Sequence, residues 1–132
     1  MRNSVSYIRI LILSALLSAL PWMARAQSGA VIQHSIDSLE NLISRDTNRA
    51  RLAILSYELA CKYEAIRDVN NLIASAEKAD LYAQQINDYS TQINSCLLLG
   101  KYNLLNQNTP AAISNYLRAR SVINKRTEDI DN

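Results

Sequence analysis

The side chains able to do chemistry are few and scattered. One histidine, His34, and two cysteines, Cys61 and Cys96, are what a metal or a nucleophilic centre would draw on first. They lie far apart in the chain, without the close ligand spacing of a zinc site. His34 has no second histidine, cysteine pair or acidic cluster beside it and reads as a surface residue. A Cys–His nucleophile pair is not expected from positions so separated. The carboxylates are spread along helix faces, where Glu58 with Lys62, and Glu77 with Lys78, read as solvated charge and not as a paired acid and base. Without residues 1–26 the chain holds only Gly29 and Gly100, so no glycine-rich phosphate cradle can be built. No catalytic residue, cofactor or metal is expected, and the enzyme class is set aside.

The first residues carry a different signal. Arg2 and Arg9 precede and open a largely apolar run over residues 10–20, Pro21 breaks it, and Ala24-Arg25-Ala26 has the small-x-small pattern of a cleavage site. Eleven residues cannot span a bilayer core as a helix, which takes about twenty. Residues 1–26 are therefore expected to be a signal peptide cleaved after Ala26, placing the protein in the periplasm or outside the cell. Arg2, Arg9 and Arg25 leave with it, so the 14 Lys and Arg fall to 11 against 12 acids, a formal charge of −1. That excludes a strongly basic nucleic-acid footprint. Trp22, the one tryptophan, leaves too.

The rest reads as amphipathic helices. In a lead segment and first helix, residues 27–52, Ile32, Ile36, Leu39 and Ile43 form a stripe with Gln33, Asp37, Glu40 and Asn41 outward. Asp46-Thr47-Asn48 is a helix start, with Asp46 or Thr47 expected as cap. The next helix turns Leu52, Leu55, Leu59, Tyr63 and Ile66 to one face. Residues 68–71 (DVNN) read as a turn, and a helix with Leu72, Ala76, Ala79, Ala83 and Ile86 follows. A second pair is expected over 93–107 and 110–126, with Thr109 as N-cap and Pro110 in the first turn. Gly100 has no side chain, so the last helix can lay Ala112 and Ala119 close to its backbone while Tyr116 fills the wider gap. Leu59-Ala60 and Leu99-Gly100, Ala76 and Tyr116, and Ala79 and Ala119 are each forty residues apart. The fold expected is all-α: two helical hairpins, residues 53–92 and 93–126, behind one N-terminal helix, with a tail at 127–132. Cys61 and Cys96 fall on neighbouring helices at different heights and read as small buried residues.

With these residues placed, the chain resembles the tetratricopeptide repeat (TPR) superfamily over residues 53–126. The likeness rests on Leu99-Gly100, Ala112, Tyr116 and Ala119, and on Leu59-Ala60, Tyr63, Ala76 and Ala79 in the first copy. Ser56 and Cys96 stand where the pattern prefers Trp, Asn103 where it prefers Tyr, and Leu72 where a small residue opens the second helix. The period of forty exceeds the usual thirty-four, and the excess is expected around residues 87–92 as a lengthened helix or loop. The resemblance implies a concave groove along the first helix of each pair, lined by Ile54, Tyr57, Cys61 and Glu64, then Asn94, Leu97, Lys101 and Leu104. A peptide or partner helix is the ligand class it implies. The export signal, the Asp46-Thr47-x-Arg49 start and the long repeats also resemble the periplasmic front of bacterial TPR sensor proteins. The second expectation is accordingly the sensory part of a histidine kinase or similar regulator, cut short before its membrane segment. Ile113, Leu117 and Val122 lie at the C-terminal edge, where a further repeat or a homodimer through the last helix would cover them.

Overall fold

The computed structural model describes residues 29–131. The expected signal peptide, its cleavage site and Trp22 lie outside the described residues. The chain divides into two compact units, Met1–His34 and Ser35–Asn132. In the first, the described residues 29–34 are helical and His34 is exposed. The remaining described residues all belong to the second.

Among the described residues five helices follow one another: α1 (residues 29–45), α2 (Arg49–Ile66), α3 (Val69–Ile86), α4 (Tyr89–Leu105) and α5 (Thr109–Asp131). The fold is all-α, built of helical hairpins, and no strand occurs among the described residues. No described helix is long and apolar enough to cross a membrane. From α2 onward the helices start at residues 49, 69, 89 and 109, twenty apart.

The turns explain that regularity. Each of α2 to α5 opens on an Asx cap, Asn48, Asp68, Asp88 or Asn108, whose side chain takes a first-turn amide that has no partner inside the helix. Asn48 accepts from Ala50 and Arg51 at 3.0 and 3.2 Å, and Asp68 and Asp88 accept from Asn71 and Thr91, each at 3.2 Å. Just before the later three caps, Arg67, Asn87 and Gln107 sit in the left-handed region with φ of 61°, 55° and 60°. That conformation lets Asp68, Asp88 and Asn108 return their N–H to the carbonyls of Tyr63, Ala83 and Asn103, closing the preceding helix in the manner of a Schellman turn.

These caps correct the expected boundaries. The cap of α2 is Asn48 and not Asp46 or Thr47; Asp46 instead accepts from the Asn48 N–H at 2.8 Å and pairs with Arg51. The cap of α5 is Asn108 and not Thr109, since Asn reaches the Ala111 amide and Pro110, without an N–H, is harmless in the first turn. Val69, Asn70 and Asn71 are helical, so the first turn is shorter than the four residues expected. No excess gathers at residues 87–92, because α4 begins at Tyr89 and the extra length is shared among helices of 17 and 18 residues. The expected tail is helical through Asp131 as the end of α5.

The core follows the small-residue seam. Ala53, Ala60, Ala76, Ala79 and Ala83 are fully buried, with Leu59, Tyr63, Leu72, Leu99, Ala112 and Ala119 nearly so. Gly100 meets Tyr116 as expected: a Cβ there would fall 2.7 Å from the ring. Ile66, expected on the inner face of α2, is at its exposed end, and Tyr116 lies over Gly100 with part of its ring still open to solvent. The open end of each hairpin is clamped at equivalent positions, by Arg49 donating to Gln85 in the first and by Lys125 over the Tyr89 ring, 5.5 Å to its centre, in the second. Tyr89 also donates to Asp129, holding the long end of α5. Ser56 and Ser95 are buried hydroxyls without a partner, each a local cost of about 1–3 kcal/mol.

Candidate partner-binding groove

The face expected to bind a partner lies on α2 and α4. Ile54, Tyr57, Cys61 and Glu64 recur at helical spacing on α2, and Asn94, Leu97, Lys101 and Leu104 repeat that spacing on α4. α2 and α4 touch each other directly as well as through α3. Three large aliphatic side chains stay open on this face: Ile54 is 57% exposed, Leu97 45% and Leu104 52%. Asn94 is exposed, and Tyr57, Cys61 and Glu64 are half-buried.

Glu64 ties the two helices together. It accepts from Lys101 Nζ at 2.7 Å and from the Tyr102 hydroxyl at 3.0 Å. The Lys101 hydrogen bond holds the Glu64 carboxyl below its ordinary range, with burial opposing and Tyr102 assisting. The same bond raises Lys101. Lys101 also lies over the Tyr102 ring at 5.1 Å. Glu64 and Lys101 therefore form a fixed pair between apolar neighbours and not two free charges. Tyr57 and Cys61 lie one turn apart on α2, and burial is the main cause raising both groups. Both cysteines are free. No family model, curated protein or solved structure matches the chain. The site must be read from its own geometry.

A second polar cluster escaped the sequence reading. Asp80, 5% exposed on α3, accepts from Arg118 of α5, from Gln84 Nε2 at 2.9 Å, and from the Cys96 thiol of α4 at 3.7 Å. Three helices meet on one carboxylate. Burial, then the Asp80 charge, pushes the Cys96 thiol up to about 11, so it stays protonated and unreactive at neutral pH. The signal was present in the sequence: Asp80 interrupts the Ala76, Ala79 and Ala83 stripe, and an acid in an apolar seam needs a partner. Tyr102 was missed as well, because its role depends on α2 and not on its own helix.

Proposed function

We propose that this chain is an exported, TPR-like interaction module that binds a short amphipathic helix or peptide along α2 and α4. The observation that carries the reading is the open row Ile54, Leu97 and Leu104 on either side of the Glu64–Lys101 pair. Apolar anchors entering such a row would lose water-exposed area at both surfaces, and the fixed ion pair would set the register. The repeat likeness is supported by helix starts every twenty residues and by the Gly100–Tyr116 contact. Export is supported by the Arg-flanked apolar run and the Ala24-Arg25-Ala26 pattern. The chain acts by holding a partner, not by chemistry upon it.

The test of binding is selection of helical peptides from a displayed library against the full chain. Enriched sequences should carry apolar anchors at three- and four-residue spacing. Leu97→Asp and Ile54→Asp should each weaken them on the order of tenfold, whereas Leu81→Asp, on exposed α3 surface, should not. No enrichment, or equal sensitivity to Leu81→Asp, would reject the groove. Export is tested by intact mass of the protein recovered from its native compartment. A start at Gln27 and absent tryptophan fluorescence are expected, and a retained Met1 terminus would reject it.

A further inference from the structure

Laid over itself at forty residues, the chain sets Glu40, Ser56 and Lys78 against Asp80, Cys96 and Arg118. In the second setting the carboxylate, thiol and guanidinium close on one another and tie α3 to α5. In the first, the acid and the base are present but the bridge is not made. Glu40 Oε1 instead accepts from the Tyr63 hydroxyl at 2.5 Å, and Lys78 forms no ion pair among the described residues. Between them lies a cleft of about 360 Å³, with Glu40 and Lys78 in its lining.

The cleft has the means to hold a small dipolar molecule. Burial and the Glu40 bond push the Tyr63 phenol up to about 12, so it remains a donor to one carboxylate oxygen and leaves the other free to accept. Lys78 offers the opposite charge, and an ion of either sign alone would be drawn to one residue and repelled by the other. Ile43, Leu59 and Ala74 give the lining an apolar part, and Asn71 and Ser75 add hydrogen-bonding groups. The volume is near the lower end of ligand clefts, roughly 300–1,000 Å³, which suits a small metabolite and excludes a dinucleotide.

We propose that this cleft binds a free α-amino acid with an aliphatic side chain, its ammonium on Glu40 and its carboxylate on Lys78. The ligand then completes between α1 and α3 the bridge that Asp80 and Arg118 complete between α3 and α5. This site is separate from the α2–α4 groove and stands or falls without it.

The experiment is titration of the full 15N-labelled chain with L-valine and L-leucine, read by amide chemical shifts. Saturable changes are expected for one of the two at about 10 mM or below, confined to Glu40, Ser44, Tyr63 and the turn of α3 from Asn71 to Lys78. Lys78→Met and Glu40→Gln, both at exposed positions, should each weaken binding on the order of tenfold. N-acetyl-L-leucine and L-leucinamide, each with one charge removed, should be weakened similarly. No saturable change with either amino acid overturns the proposal, as does binding unchanged in Lys78→Met or undiminished for the singly charged analogues.

Discussion

Replacing Gly100 with alanine tests the tightest contact in the molecule, and its sign should depend on one other residue. A Cβ at position 100 falls 2.7, 2.8 and 2.9 Å from Cε1, Cζ and Cδ1 of Tyr116, distances that real Cβ atoms do not tolerate. The Tyr116 ring is 39% exposed, so it can swing outward, and overpacking of this kind costs roughly 1–3 kcal/mol. Against that, alanine is favoured over glycine inside a helix by about 1 kcal/mol. Gly100→Ala should thus destabilise the chain by about 1 kcal/mol, with a range of roughly 0–2. In a Tyr116→Ala background the ring is gone and only propensity remains, so the same change should stabilise by about 1 kcal/mol. Urea unfolding followed by helical circular dichroism, with the four proteins of a double-mutant cycle, measures the difference directly. Melting should shift in the same sense, by roughly 4–8 °C per kcal/mol in a domain of this size. If Gly100→Ala has the same effect in both backgrounds, α4 and α5 do not approach there and the seam has been misread.

Four further outcomes follow from other features. The Glu64 carboxyl is held low in the folded chain, so its contribution is present above the ordinary carboxylate range and is lost as pH falls through the folded value. Lys101→Met should therefore flatten part of the loss of stability as pH falls below the ordinary carboxylate range, measured by urea unfolding at each pH. Cys61 is half-buried and Cys96 buried with its thiol near 11, so a thiol reagent at neutral pH should modify Cys61 first and Cys96 only after denaturation. Gln107 pays for a left-handed φ of 60° with a side chain that disfavours it, and Gln107→Gly should raise stability by about 0.5–1 kcal/mol in thermal unfolding. Ile113 and Leu117 are 54% and 57% exposed on α5, so the chain should self-associate in sedimentation at micromolar concentration and Leu117→Lys should make it monomeric.

The seam was legible because small residues leave no alternative. Alanine and glycine at helical spacing have value only where another helix comes close, so Ala76, Ala79 and Gly100 announced the packing before any helix was placed. The helix starts were harder. Asp46, Thr47 and Asn48 are all competent caps, and so are Asn108 and Thr109; between the last two, the choice fell to the left-handed Gln107 that ends α4. Nothing in the residue types at Arg67 or Gln107 advertises that conformation. The long-range polar ties were less legible still. Asp80 finds Arg118 and Glu64 finds Lys101 across 38 and 37 residues, whereas charge on a helix is read from neighbours three or four places away. Lys78 was read as solvated charge for that reason, and its place beside a cleft depends on α1. On the face expected to bind a partner, Ile54, Leu97 and Leu104 are exposed, and the pairing of Lys101 with Glu64 is legible only once α2 and α4 are side by side.

Turns this short leave the chain no slack in length. Between Ile86 and Tyr89 there are only Asn87 and Asp88, one closing a helix and the other opening the next. One residue inserted inside a helix turns everything beyond it by about 100° and lifts it about 1.5 Å, and no loop is long enough to absorb the error. Such an insertion in α3 would carry Asp80 away from Arg118, or the alanine seam away from its neighbour. Loss or gain of forty residues at once is different. Leu52 joined directly to Ile93 would continue one helix in the same phase, with its cap and its turn intact. Changes of length should therefore be tolerated in whole hairpins and rejected one residue at a time.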